Sequence, residues 1–375
     1  MKILFFINSI PPQYGGGYLR VFKIASRFKV YGTLFKIATF TPRSLYKDYL
    51  GISKYDIIFI PNKIMSFISF LYNIFRYRNE FDVFYVASTQ WFTVLPVILC
   101  KILKKKIILG ITLSGVDSPA VKKHGPKKIY YLFKNWQFRF ANFLFVNSPL
   151  LVEECCSCGY PKEMIKLINN PVDISIFHPI NYQEKEKIKS NLCINNSNLT
   201  ILFVGSVNKR KGADLLPEIF KQYFARVNKK INFIICGQDC YTESDEIISS
   251  LEQIFKKNNS TFIFKREVKD VHIFYKITDI FLFPTTNEGM PNVILEAMAT
   301  GCMIICNTLP GITDYTLSEN FLIHNNDINE YVDRIIDYEA NKEYYNHLIH
   351  NNINIIKDNF SINKIDKQIK DIILK

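Results

Sequence analysis

The sequence predicts two doubly wound α/β domains of Rossmann-like type, facing each other across a cleft. Three observations predict it. Short, continuous apolar runs alternate with helix-length segments, as a parallel sheet covered on both faces requires. That alternation occurs twice, on either side of a Pro- and Asx-rich stretch, and the charge balance changes at the same place. A length of 375 residues suits two such domains.

Taken in order, the first-half strands are Ile3–Ile7, Leu34–Thr39, Ile57–Ile60, Val83–Ala87, Ile107–Thr112 and Phe143–Val146. Helices such as Tyr18–Phe28, Phe67–Arg76 and Thr93–Leu103 fit between them. The apolar run after Lys2 is too short for a signal peptide and lacks a small-residue cleavage site. Val83–Cys100 is uncharged for 18 residues, the lower edge of a membrane span. Ser88, Thr89, Gln90 and Pro96 break it into a strand, a loop and a buried helix. The stretch Asn170-Pro171-Val172-Asp173 through Pro179 reads as a linker, giving domains 1–178 and 179–375. Beyond it the strands are Ile201–Val204, Ile231–Cys236, Phe262–Phe264, Ile280–Phe283 and Met303–Cys306. From about Ile328 the tail is helical only, and free to pack back on the first domain.

Charge is segregated. Residues 1–178 hold 24 Lys+Arg against 9 Asp+Glu, a net of +15, whereas residues 179–375 net −2. No acidic residue lies between Ser118 and Val152, where Lys122, Lys123, Lys127, Lys128, Lys134 and Arg139 occur. Tyr130, Tyr131, Phe133, Trp136, Phe138 and Phe140 interleave with these cations, as in an interfacial segment. A solvated basic helix with one core face is the plainer reading of that stretch. The asymmetry points to an anionic partner, membrane or nucleic acid, and no recognised nucleic-acid motif is present. The nine cysteines form no repeated CxxC pairs, and Cys100, Cys236, Cys302 and Cys306 lie in apolar runs. Reduced thiols and a cytoplasmic location follow.

Three segments could carry chemistry. After the first strand, Gly15-Gly16-Gly17 precede a helix, where backbone N–H groups can approach a phosphate; a plain turn is the alternative. Gly205-Ser206-Val207-Asn208-Lys209-Arg210-Lys211-Gly212 joins a strand to a helix. Three cations there oppose the macrodipole unless an anion is bound, or the turn is simply solvated. The third segment runs from Phe283 to Cys302. In it Pro291 suits the first helical turn, Gly301 suits the stop, and Glu296 falls on a helix that is apolar on nearly all sides. A buried carboxylate requires a cation or hydroxyl donors. Glu288 lies in the loop before that helix, so Glu288 and Glu296 could grip two ends of one polyhydroxy ligand.

The segment Glu288-x7-Glu296, with Gly289, Pro291 and the run Glu-Ala-Met-Ala-x-Gly, resembles the signature of family 4 retaining glycosyltransferases. Gly16-Gly17-x-x-Arg20, Asn170-Pro171-Val172-Asp173 and Gly205…Lys211-Gly212 are similar to that family in matching order. The resemblance implies a GT-B fold and a nucleotide-diphospho-sugar donor, UDP- or GDP-linked, with no further cofactor. It implies that Glu296 holds the ribose hydroxyls and Glu288 the sugar, while Arg210 and Lys211 hold the diphosphate. Gly16, Gly17, Gly205 and Ser206 would approach the same ligand. Val268 would read the base through its backbone, and Met290, Pro291 and Asn292 would complete the donor loop. No DxD motif occurs, which agrees with catalysis without a metal. The histidine that many members carry after the fifth strand is absent, and Ser114 or Asp117 stands in its place. The expected activity is sugar transfer to a glycan acceptor, lipid-linked, on the inner face of a membrane in bacterial surface polysaccharide synthesis. A sugar-nucleotide epimerase of the same fold and a basic nucleic-acid-binding protein are the alternatives.

Overall fold

A computed structural model describes residues 2–10, 16–30, 34–48, 51–61, 66–113, 117–120, 127–237, 242–266, 268, 270–286, 288, 290–308 and 318–374. Two units divide the chain: Met1–Asn170 with Ile365–Lys375, and Pro171–Lys364.

The first unit's strands are β1 (Lys2–Phe6), β2 (Leu34–Thr39), β3 (Ile57–Phe59), β4 (Val83–Val86), β5 (Lys106–Ile111), β6 (Phe143–Val146) and β7 (Ile165–Leu167). They form one parallel sheet in the order β3-β2-β1-β4-β5-β6-β7. Successive side chains point to opposite faces, so two separate cores arise. Ile3, Phe5, Val83 and Tyr85 join Val21, Phe22 and Ala25 of the helix Gly16–Val30 on one face. Ile365 and Ile369 of the C-terminal helix Ile362–Leu374 pack into that same core. Leu4, Phe6, Phe84 and Val86 meet Phe70, Ile74, Val97 and Cys100 on the other face, from the helices Ser66–Arg76 and Val94–Ile102.

The second unit's strands are β8 (Leu199–Val204), β9 (Ile231–Cys236), β10 (Thr261–Lys265), β11 (Ile280–Phe283), β12 (Met303–Asn307) and β13 (Leu322–Ile323). They pair in parallel in the order β10-β9-β8-β11-β12-β13. In each sheet the strand order reverses between the first and fourth strands, β1/β4 and β8/β11. Open α/β sheets bind ligands beyond the strand ends at such points. Every strand expected from the sequence is present, and β7 and β13 are additional. Of residues 170–179, which the sequence marks as a linker, Asn170 belongs to the first unit and those from Pro171 onward to the second. Val172 N–H donates to Phe360 O at 2.8 Å, Ile362 N–H donates to Val172 O at 2.9 Å, and Phe177 is buried. Cys100, Cys236, Cys302 and Cys306 are free and buried. Among the described residues no helix is long and apolar enough to cross a membrane.

At the carboxyl end of β9 the backbones close up. A Cβ at Gly237 would lie 1.8 Å from Gly205 O, so only glycine fits. Gly237→Ala should therefore destabilise the protein by about 1–3 kcal/mol. Urea unfolding measures this, and an unchanged midpoint would show that the Gly205 turn yields without cost.

Candidate functional site

The loops after β8 and β11 meet at the second sheet's reversal point. Asn208 caps the short 3-10 turn Lys209–Lys211, its side chain accepting from Lys211 N–H at 3.1 Å. Gly212 follows with φ +70°, and a Cβ there would lie 1.9 Å from Pro284 O. The turn is thereby pressed against the loop after β11. Thr285 Oγ1 donates to Arg210 O at 3.0 Å and fixes the same contact. Asn307, at the end of β12, donates to Pro284 O and Thr285 O at 3.1 and 2.9 Å. Tyr331 in turn donates to Asn307 Oδ1 at 2.7 Å.

On this frame three charged groups converge. Arg210 NH1 donates to Glu288 Oε1 at 2.9 Å, and Lys211 Nζ pairs with the same oxygen. The Lys211 and Glu288 side chains are each 15% exposed, whereas Arg210 is 54% exposed. Lys211 Nζ also lies 5.1 Å from the centre of the Phe283 ring. Burial pulls the Lys211 ammonium below the ordinary lysine value, and the Glu288 charge opposes that shift. Two cations and one carboxylate leave the cluster net positive, suited to an anion with more than one charge.

Glu296 sits on the helix Asn292–Thr300, which Gly301 ends with φ +81°. The sequence suggests a fully buried carboxylate; instead the residue is half-buried, and the Tyr275 hydroxyl donates to Glu296 Oε2 at 3.4 Å. Ile294, Leu295, Ala297, Met298 and Ala299 are the buried residues beside it. Pro291 is the N-cap rather than a residue of the first turn. Met290 is buried in the core, Asn292 opens the helix, and Gly289 lies outside the described residues. Gly205 N–H donates to Cys236 O at 3.0 Å, and Ser206 follows it in the turn. Arg266 and Val268 follow β10; Arg266 is exposed, and Val268 packs against the second unit's core.

In the first unit, Gly16 and Gly17 open the helix Gly16–Val30. Asp117 is buried, and accepts from Leu113 N–H at 2.8 Å, Thr112 Oγ1 at 2.9 Å and Thr112 N–H at 3.1 Å. Burial pushes its carboxyl up while those donors pull it back. The residue pins the loop after β5. Ser114 lies outside the described residues. The sequence offers no sign of Tyr275, Asn307 or Tyr331, whose roles arise only from long-range contacts.

Two parallel doubly wound sheets, the second bearing a cationic turn at its reversal point, define a protein of the GT-B class. Anabaena HepE, solved in complex with UDP and glucose, superposes with a TM-score of 0.80 over 100% of this chain and 99% of its own, at 18% identity. Residues 184–355 match the profile of the glycosyl transferases group 1. It is 26% identical over 183 residues to an alpha-galactosylglucosyldiacylglycerol synthase of Streptococcus pneumoniae, covering 48% of each chain. It is 29% identical over 275 residues to an Escherichia coli UDP-Gal:alpha-D-GlcNAc-diphosphoundecaprenol alpha-1,3-galactosyltransferase, covering 70% of this chain and 67% of that one. The chain spans about half the length of the first curated relatives it matches.

Glu288→Gln removes the charge that opposes burial of Lys211, so the Lys211 value should fall further. A lysine that falls on folding makes the unfolded chain the stronger proton binder, so stability then rises with pH through the interval between the two values. The variant should be less stable by about 1–3 kcal/mol near neutrality. Its deficit should narrow as pH climbs toward the ordinary lysine value of 10.5. Urea unfolding at about pH 7 and about pH 9.5 measures this; a deficit independent of pH would exclude the coupling.

Proposed function

We propose that the protein transfers a sugar, with retention, from a nucleotide-diphospho-sugar to a lipid-linked glycan acceptor in surface polysaccharide synthesis. The observation that carries this reading is the convergence of Arg210, Lys211 and Glu288 on the loops after β8 and β11. Breaking a glycosyl–phosphate bond develops charge on the departing diphosphate. Fixed cations in a partly desolvated site stabilise that charge without reorganising. Arg210 and Lys211 take that role, and no metal is required by it. Without donor, Glu288 offsets part of the charge of the two cations; with donor, the diphosphate takes its place and the carboxylate accepts from sugar hydroxyls.

Glu296, already within reach of one hydroxyl from Tyr275, accepts from the ribose in the same manner. Val268 offers its backbone to the base, and Gly205, Ser206, Met290, Pro291 and Asn292 shape the donor site. Gly16 and Gly17 supply a second helix start suited to an anion. Asp117 shapes the acceptor loop of the first unit. A UDP-linked donor is favoured over a GDP-linked one by the Escherichia coli relative, whose name specifies UDP-Gal. A lipid-linked acceptor is supported by the same name, and by the diacylglycerol product of the pneumococcal relative.

Glu296→Ala should weaken binding of nucleotide and donor alike. Glu288→Ala should leave nucleotide binding nearly intact and slow transfer, each lost charged hydrogen bond being worth about 1.5–3 kcal/mol. Loss of Arg210 or Lys211 should lower kcat more than it raises KM. Calorimetry with UDP and UDP-sugars, together with transfer assays with and without acceptor and with EDTA, measures these effects. Wild-type transfer by both glutamate variants would overturn the assignment, and strict dependence on added divalent metal would overturn the leaving-group role. Donor turnover to an epimer in the absence of acceptor would favour the epimerase alternative.

A further inference from the structure

The helices covering one face of the first unit's sheet are apolar on their outer side as well. Ser66–Arg76 buries Phe70 and Ile74 against the sheet, yet exposes Ile68, Tyr72 and Phe75. Val94–Ile102 buries Val97 and Cys100 and leaves Ile102 71% exposed. The helix Lys127–Trp136 leaves Ile129 75% exposed, with Leu132 and Trp136 open beside it. The first two helices pack on each other, and the third packs on Val94–Ile102 and on the turn carrying Trp91. Among the described residues, eleven of the seventeen large exposed hydrophobic side chains lie on these three helices and that turn, and only three belong to the second unit. A surface helix ordinarily turns charged residues outward. These helices contain no Asp or Glu.

The rim of this face is cationic. Among the described residues from Ser66 to Val152, ten Lys+Arg stand against three acidic residues, Glu80, Asp82 and Asp117, the last buried in its own loop. Lys101, Lys104, Lys128 and Arg139 are exposed, and the Arg78 guanidinium stacks 4.2 Å from the centre of the Phe75 ring. We infer that this three-helix face is a bilayer-docking surface, which inserts its apolar side chains between the lipids while its basic rim meets anionic headgroups. A second copy of the chain is the poorer occupant, because an isologous pairing would set one cationic rim against another. The surface is wider than the basic stretch 122–139 alone. It also alters the reading of that stretch: Lys134 and Phe138 are buried, so the aliphatic and indole side chains make the contact. The inference gives the lipid-linked acceptor reading a physical site, and the experiment below uses neither donor nor acceptor, so the two can fail separately.

The chain's two tryptophans, Trp91 and Trp136, both lie on this face, so intrinsic fluorescence reports directly on it. Vesicles of phosphatidylcholine with phosphatidylglycerol should shift the emission to the blue and sediment the protein, and brominated acyl chains should quench it. Part of the binding should survive high salt, because insertion is not screened. The triple variant Ile102→Ser, Ile129→Ser, Leu132→Ser should keep its circular dichroism and its urea-unfolding midpoint, but lose vesicle affinity by roughly tenfold or more. Lys101→Gln with Lys104→Gln and Lys128→Gln should lose the preference for anionic lipid. Sedimentation without a blue shift or quenching would overturn insertion. So would a dimer in solution that the triple serine variant dissolves, since the face would then be an interface between copies.

Discussion

Gly212 and Pro284 approach so closely that a single β-carbon would not fit between them, and the charged cluster depends on that approach. The turn after β8 and the loop after β11 leave neighbouring strands, so their first residues are already adjacent. Adjacency alone does not bring Arg210 and Lys211 to Glu288. The left-handed backbone at Gly212 folds the turn down, Thr285 holds the Arg210 carbonyl, and Asn307 holds the loop from the far side. Each bond satisfies a backbone carbonyl, and the Arg210 carbonyl accepts from Thr286 N–H as well, so both loops are held by hydrogen bonds as the strands are.

The cluster is poised between two environments. Burying Lys211 is unfavourable, and Glu288 offsets that by standing against it. Replacing the carboxylate with a diphosphate would preserve the compensation and add charge. The same two cations could therefore serve an empty and an occupied site without the frame beneath them changing. A neutral pocket would give an anion no such reception, and a pocket with bare cations would destabilise the empty protein.

How much of this was legible in the sequence differs from one feature to another. The central strands were legible because strands buried on both faces are apolar along most of their length, as Ile280–Phe283 is. The edge strands β7 and β13 were not, since three residues interrupted by Lys166, or two residues alone, carry no periodic signal. Arg210, Lys211, Glu288 and Glu296 could be singled out from spacing, charge and resemblance. The pairing of the first two with Glu288 could not, because it depends on which strands are neighbours. The apolar helix around Glu296 suggests full burial, but helix composition does not reveal which side opens at the end of a sheet. Residues 170–179 have the composition of a linker, whereas Val172 is bridged to Ser361, nearly two hundred residues away in sequence.

The segregation of charge and of exposed apolar surface is the last constraint. Concentrating +15 in residues 1–178 works against their own folding through self-repulsion, while the rest of the chain is almost neutral. Outward apolar side chains on three neighbouring helices add a second liability, association in water. Neither feature is needed by the sheet, whose core on that face is filled by the inward side chains of those helices, Phe70, Ile74, Val97 and Cys100. The two coincide on one side of one unit, and each offsets the other's risk: the cationic rim keeps copies apart in solution, and the apolar face makes the rim more than a screened electrostatic contact. An anionic bilayer is the environment in which both become favourable at once, and it is also where a lipid-linked acceptor would reside.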